Sequence, residues 1–291
     1  MYAAIASNKR RTYLIMALFV MIIAALAWVA AGLFGYNVPV FTTIALVVAG
    51  VYALIQYFAA AKIALAVNGA KEIKKKDNPR LYRTVENLSI AAGLPMPKVY
   101  IMEDKALNAF ATGRDPKHAV VCATTGLLDA MDDTELEAVM AHELGHVQNY
   151  DIRVMMIVFG LVSAIGLIAD ILLHMMWFGG DSDNPPHPIF LVLGVVAIVL
   201  APFIATMVQL AVSRRREYLA DSTGALLTRY PEGLARALEK IRDGGSTTRR
   251  QNSSTAHLFF ANPLKSGVFN NLMSTHPPVN DRIAKLRAMG L

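Results

Sequence analysis

The sequence predicts an α-helical membrane protein with four transmembrane helices and a mainly α (α+β) cytoplasmic domain that contains a small β-sheet. Its 291 residues are 55% hydrophobic and only 17% charged, whereas a soluble domain carries about 25% charged residues. The mean hydropathy of +0.41 points the same way. We therefore expect part of the chain to lie in lipid, with the polar remainder folded beside it.

Four apolar runs are long enough to span a bilayer, which takes about 20 residues. They cover residues 13–34, 38–61, 154–178 and 189–212. The first run follows a basic segment and resembles a signal peptide in that respect. Because it is about 22 residues long, against 7–15 for the apolar core of a signal peptide, we expect a retained anchor instead.

Basic residues flank these runs on one side. Arg10 and Arg11 precede the first run, lysines at 62 and within 71–76 follow the second, and Arg214–Arg216 follow the fourth. The two turns inside the pairs of runs carry only Asp181 and Asp183 as charges. Since positive residues stay in the cytoplasm, we expect both termini and the segment between the second and third spans there. The net charge of +6 thus indicates contact with a lipid bilayer, and no nucleic-acid partner is expected.

The spans divide the chain into four parts. Residues 1–61 and 154–212 form two transmembrane hairpins, while 62–153 and 213–291 together form one compact domain. Asn78-Pro79 begins one helix, and Asp132 with Glu135 forms a capping box that begins another, ending near 149. The remaining elements of this domain are predicted as a basic helix at 62–76, β-strands at 98–102, 108–112 and 118–123, and helices at 213–228, 232–243 and 279–289.

The helix that begins at Asp132 contains His142-Glu143-Leu144-Gly145-His146, an H-E-x-x-H motif. Residues four apart share one face of a helix, so both imidazoles can bind a single metal ion. Glu143 can then touch a metal-bound water without binding the metal. The alternative is a pair of ordinary histidines. Random placement of this chain's histidines and glutamates would give the motif about once in two hundred sequences.

Catalytic zinc takes three protein ligands and leaves one position for water. A third histidine at the spacing H-E-x-x-H-x-x-G-x-x-H is excluded, because that position holds Ile152. Among the glutamates after the fourth span, Glu217 is the best candidate, since Asp221 follows one turn later and can accept the N–H of a ligating imidazole. The alternative for Glu217 is a solvated charged face paired with the neighbouring arginines. We expect one zinc ion per chain.

With Asn108-Ala109-Phe110-Ala111-Thr112-Gly113 and Ser274-Thr275-His276-Pro277-Pro278 followed by Arg282, these motifs resemble the membrane-bound zinc metalloproteases of the HtpX type, in the M48 family of gluzincins. The resemblance covers essentially the whole chain. It implies a zincin-like endopeptidase at the bacterial cytoplasmic (inner) membrane, which cleaves misfolded or damaged membrane proteins with a zinc-activated water and Glu143 as general base.

The resemblance also assigns substrate contacts. It implies that residues 108–112 form an edge strand on which an extended polypeptide pairs, with Asn108 and Phe110 as substrate-binding residues, and that His276 belongs to the active site. An exposed strand edge can indeed recruit a peptide by strand addition. The alternatives are an ordinary buried strand and a structural histidine.

Two other functions fit parts of the sequence. Asp170 and His174 in the third apolar run would suit a four-span transporter, although an interhelical hydrogen bond explains them as well. A catalytically silent scaffold with a structural zinc is the second, but such a site has no use for Glu143. The single cysteine, Cys122, lies on a predicted strand without a base partner, and we expect a buried core residue.

Overall fold

The computed structural model describes residues 2–33, 35–157, 214–244, 248, 259–261 and 277–290. Most of the third predicted span and all of the fourth lie outside the described residues, as do Asp170, His174 and His276. The described part is mostly helical, with one small mixed sheet. This agrees with the predicted combination of helices and a small sheet.

Two long helices cover the first two predicted spans. Helix α1 is Tyr2–Leu33 and helix α2 is Val38–Asn68, and they pack against each other. The Asn37 side chain caps α2 by accepting a hydrogen bond from the Val40 N–H at 3.2 Å. In the described residues no single helix is both long and apolar enough to cross a membrane. Two segments of α2, Val38–Tyr52 and Leu54–Asn68, meet at a bend of 44° and together are long and apolar enough to do so.

The predicted basic helix at 62–76 is wrong in its second half. Helix α2 continues to Asn68 and ends at Gly69, whose φ of 70° is the left-handed conformation that closes many helices. The chain then forms strand β1, Ala70–Glu72, which pairs with a neighbouring strand. Lysine favours a helix, and at Lys71 the pairing within the sheet overrides that preference.

The sheet contains β1 and the three predicted strands. These are β2, Lys98–Met102, β3, Ala109–Thr112, and β4, Val120–Thr124. The spatial order is β1-β2-β4-β3, with β2 parallel to β4 and β3 antiparallel to it. Phe110 lies opposite Cys122 in this register. Strand β3 is therefore an edge strand among the described residues, as expected.

The other predicted helices of this part of the chain are present in its described residues. Asn78 caps one of them and Gly93 ends it, while Asp132 and Glu135 form the expected capping box. The helices are α3, Pro79–Ala92, α4, Thr125–Ala130, α5, Asp133–Gln148, α6, Arg214–Thr228, α7, Pro231–Gly244, and α8, Val279–Arg287. Helix α4 is a short element that the sequence did not indicate.

The sheet separates two apolar clusters. On one side α5 packs with α3, α7 and α8 through residues such as Leu81, Leu144 and Leu234. On the other side the last turns of α2 pack against Phe110, Cys122 and neighbouring side chains. Cys122 is buried there, and burial raises the pKa of its thiol, so it is a core residue as predicted. The second cluster connects α2 directly to the edge strand.

Candidate metal centre

Helices α5 and α6 approach each other closely because two glycines face the contact. A β-carbon added at Gly224 would lie 2.9 Å from the backbone nitrogen of His142, and one at Gly145 would lie 3.3 Å from the carbonyl oxygen of Ala220. A side chain at either position would push the helices apart. The mid-helix Gly145 thus allows close approach of backbone, which brings α6 onto the H-E-x-x-H face.

Three side chains meet where these helices touch. His142 Nε2 and His146 Nε2 are 3.1 Å apart, and oxygens of Glu217 lie 3.5 Å from the His146 nitrogen and 3.9 Å from the His142 nitrogen. Ligand atoms that bind one tetrahedral zinc ion at about 2.0–2.1 Å stand roughly 3.3 Å from one another. The observed spacing is close to that value. All three side chains are buried, and together they could hold a metal ion.

Each imidazole has a carboxylate at its other nitrogen. His142 Nδ1 lies 2.8 Å from Asp221 Oδ1, and His146 Nδ1 lies 3.1 Å from Asp151 Oδ2. A proton on each Nδ1 leaves the Nε2 lone pair free for a metal. Arg282 donates two hydrogen bonds to Asp221, at 2.9 and 2.7 Å. The partner predicted for a ligating histidine, Asp221, is therefore beside His142.

Charges and burial shape the protonation of the site. Burial lowers the pKa of His142 to about 4, so this ring is neutral at pH 7, as a ligand must be. Burial also opposes ionisation of Asp221, but Arg282 and His142 outweigh it and lower the Asp221 pKa to about 2. For His146 burial again favours the neutral ring, yet Asp151 and Glu217 outweigh it and raise the pKa to about 9. Metal binding at His146 then releases a proton.

Glu143 lies in the same buried site. Burial raises the pKa of its carboxyl to about 7, although the nearby His146, Arg282 and the backbone N–H of Ala111 act in the opposite direction. Its Oε1 is buried with no hydrogen-bond partner among the described residues. A buried oxygen without a partner is costly in a stable fold. The donor set and this oxygen fit a metal ion with a reacting water beside it.

The expected substrate-binding residues Asn108 and Phe110 are enclosed by the chain itself. The Asn108 amide donates to the Ala261 carbonyl at 2.8 Å and accepts from the Ala261 N–H at 3.1 Å. Phe110 packs on the ring of Phe259, with centroids 5.0 Å apart. Residues 259–261 therefore cover the first half of the free edge of β3.

The second half of that edge faces Glu143. The Ala109 carbonyl accepts from the Phe260 N–H at 2.8 Å, whereas the Asn108 carbonyl accepts from Thr124 of β4. Since alternate residues of an antiparallel strand point their backbone groups to opposite sides, those of Ala111 point away from β4. The part of the edge near Ala111 is the part next to the site.

Two side chains around the histidines were not assigned to the site by the sequence. Asp151 lies five residues after His146, a spacing that a continuous helix would place on another face. Arg282 was named only as part of a motif, and its pairing with Asp221 follows only from the packing of α8. An acidic residue just past a ligand helix was the one available signal for Asp151.

Known proteins resemble this chain along its whole length. The sequence model of "Peptidase family M48" matches residues 75–290. A "Protease HtpX homolog" from Tropheryma whipplei (strain Twist) is 52% identical over 290 residues, covering 100% of this chain and 99% of the relative. A protein of the same name from Dictyoglomus thermophilum is 43% identical and covers 99% and 95%.

A solved structure shares the fold. The crystal structure of S. mikatae Ste24p matches with a TM-score of 0.51 at 20% sequence identity, over 94% of this chain and 61% of that chain. Family M48 is zinc-dependent, which agrees with the cluster of His142, His146 and Glu217. The family model matches most of the chain, and relatives named as proteases are 40–52% identical to it over nearly its whole length, so the chain belongs to peptidase family M48 and is a metalloprotease.

Proposed function

We propose that this protein is an integral-membrane zinc endopeptidase that hydrolyses peptide bonds of misfolded or damaged membrane proteins. One zinc ion is held by His142, His146 and Glu217, and Glu143 is the general base. The observation that carries this proposal is the meeting of the three ligand side chains within 4.8 Å, with the buried Glu143 carboxyl in the same site. The approach of α5 and α6 creates that arrangement from two distant parts of the sequence.

The residues of the site divide the chemistry between them. A zinc ion bound here supplies a Lewis acid for the scissile carbonyl and lowers the pKa of a water towards 7. Glu143 takes a proton from the attacking water and later delivers it to the leaving amine. Burial raises the pKa of this carboxyl to about 7, and the charge of a bound zinc ion would lower it, so Glu143 is ionised at neutral pH and can accept the proton. Asp221 and Arg282 keep His142 oriented meanwhile.

An extended substrate pairs with the second half of the β3 edge. The backbone groups of Ala111 point to that side, next to Glu143, so a strand laid there brings its peptide bonds to the site. Asn108 and Phe110 then hold residues 259–261 against the first half of the edge strand. Their direct contact with a substrate requires those residues to move.

Membrane proteins are the proposed substrate class because the site is connected to apolar helices. Helices α1 and α2 expose large apolar side chains, among them Leu14, Val47 and Leu54, each about three-fifths exposed. The end of α2 packs on the cluster that contains Phe110. A segment leaving the lipid beside α2 is therefore close to the edge strand. We place the protein in the bacterial cytoplasmic membrane, with its site on the cytoplasmic side.

Digestion of casein or a model membrane protein in detergent tests the enzyme, with and without a chelator. Cleavage that stops with chelator and returns with zinc supports the proposal. Glu143→Gln should retain one zinc per chain and lose turnover by about 10²–10⁴-fold, the usual contribution of general acid–base catalysis. Exposed Glu137→Gln on the same helix is the matched control and should cleave normally. Wild-type turnover in Glu143→Gln would contradict the assigned role.

A further inference from the structure

Asp151 lies behind the second histidine of the metal centre. Its side chain is fully buried, with Oδ2 at 3.1 Å from His146 Nδ1. Its other oxygen, Oδ1, is 3.5 Å from Nε of the buried Arg216. Arg216 directly precedes Glu217 on α6. One carboxylate thus connects a histidine of α5 to the first turn of α6, the helix that contains Glu217.

The backbone takes an unfavourable conformation to bring Asp151 there. Helix α5 ends at Gln148, and Tyr150 then has a φ of 60°, in the left-handed region that residues with a β-carbon rarely adopt. The Arg153 guanidinium lies over the Tyr150 ring at 5.2 Å. Such conformations persist where the surroundings hold them, and they cluster at functional sites. The turn returns a residue that a continuous helix would carry away from His146.

Both histidines have the same pattern of partners. His142 is followed by Asp221 and then by Arg282, which donates hydrogen bonds to that carboxylate. His146 is followed by Asp151 and then by Arg216, which lies at the ion-pair distance of 3.5 Å. In each case the arginine is buried with its carboxylate. A buried carboxylate that accepts a hydrogen bond from the Nδ1–H group fixes the tautomer and orientation of an imidazole ligand. The parallel extends this role from the expected Asp221 to Asp151.

We propose that Asp151 is a positioning residue for the zinc site, which holds the His146 Nδ1 proton so that Nε2 faces the ion, while Arg216 fixes the carboxylate and couples it to α6. This inference rests on the proposed function, in which His146 is a zinc ligand. It differs from an ordinary buried ion pair in one measurable respect. A positioning residue contributes to zinc affinity, whereas an ion pair alone contributes to the stability of the metal-free fold.

The test uses the full chain in detergent and measures two quantities for each variant. Zinc affinity is obtained by competition with a chromogenic chelator, and the melting temperature is measured for the metal-free protein. Asp151→Ala should bind zinc about 10–100-fold more weakly, the usual effect of removing such a partner. Asp151→Asn should lose less zinc affinity, because the amide oxygen still accepts a hydrogen bond from the Nδ1–H group. Exposed Asp129→Asn is the control and should match wild type.

Wild-type zinc affinity in both Asp151 variants, with a lowered metal-free melting temperature, would make Asp151 a structural residue and overturn the proposal. If the variants do not fold, the wild type still decides. Nitrogen NMR of the zinc-loaded, ¹⁵N-histidine-labelled protein should show both ligands bound through Nε2 with protonated Nδ1, and binding through Nδ1 would overturn the proposal. A wild type that cleaves but binds no zinc would instead refute the zinc site, and the inference with it.

Discussion

Glu217 completes the proposed ligand set, although it lies 71 residues beyond His146 in the sequence. Its oxygens are 3.5 and 3.9 Å from the two imidazole nitrogens. We expect Glu217→Ala to lower the zinc content well below one per chain, because two neutral imidazoles alone bind zinc weakly. Metal analysis after gel filtration measures this, with exposed Glu137→Ala handled alongside. Full zinc occupancy in Glu217→Ala would remove this residue from the ligand set.

Phe110 can be tested as a core residue or as a substrate contact. Its side chain is 1% exposed and packs on Phe259 and the cluster around α2. Phe110→Ala should therefore cost about 3–5 kcal/mol of stability, as for other large-to-small changes in cores. Ile90→Ala, at a position 75% exposed, should change little. Unchanged stability in denaturant titrations, together with a raised KM, would restore Phe110 as a substrate contact.

Local spacing explains which site residues the sequence can predict. His142, Glu143 and His146 follow from helix periodicity alone, and Asp221 follows from its position one turn after Glu217. The H-E-x-x-H helix is present, and the four side chains lie together with Glu217. Asp151 was not predictable, since its approach to His146 requires the left-handed turn at Tyr150, where no glycine or asparagine marks such a conformation.

The contact of α5 with α6 is the element on which the site depends. A methyl group at Gly224 would collide with the backbone at His142, which cannot yield as a flexible side chain does. We expect Gly224→Ala to cost about 1–3 kcal/mol of stability, as overpacking usually does, and to weaken zinc binding by moving Glu217 away. Thermal unfolding and zinc titration measure the two effects.

Leu226→Ala is the matched control, because residue 226 is exposed on the same helix. Alanine is favoured over glycine in a helix by roughly 1 kcal/mol. Gly224→Ala would therefore raise the melting temperature if helix propensity alone mattered. A raised melting temperature would show that the close contact of α5 with α6 does not require a glycine at position 224.

Capping residues made two helices predictable, and long-range pairing made one strand unpredictable. Asn78, Gly93 and the box of Asp132 with Glu135 set helix ends through contacts within a few residues, and these ends agree with the sequence. Strand β1 instead exists because Lys71 lies opposite Ile101 on β2. No residue near Lys71 in the sequence indicates that partner, so the sequence favoured a helix there.

At the scale of the whole molecule, apolar and charged surfaces are separated. Large exposed apolar side chains are concentrated on α1 and α2, while exposed ion pairs such as Lys75–Glu86 and Arg287–Glu232 lie on the compact domain. Such ion pairs contribute little to stability, but they keep that surface in water. The lysines within residues 71–76 lie between the two regions in the sequence.

The position of these basic residues predicts the orientation in the membrane. Arginines precede the first apolar run, lysines follow the second and arginines follow the fourth. The only charged residues in the turn around Ser182 are acidic. Because Lys and Arg stay on the cytoplasmic side, a reporter fused after Leu291 should be active in the cytoplasm, and one inserted at Ser182 should be active outside. A paired set of reporters, one active only inside and one only outside, measures both positions in the same cells. An external C-terminus would place the metal centre on the far side of the membrane and contradict the charge argument.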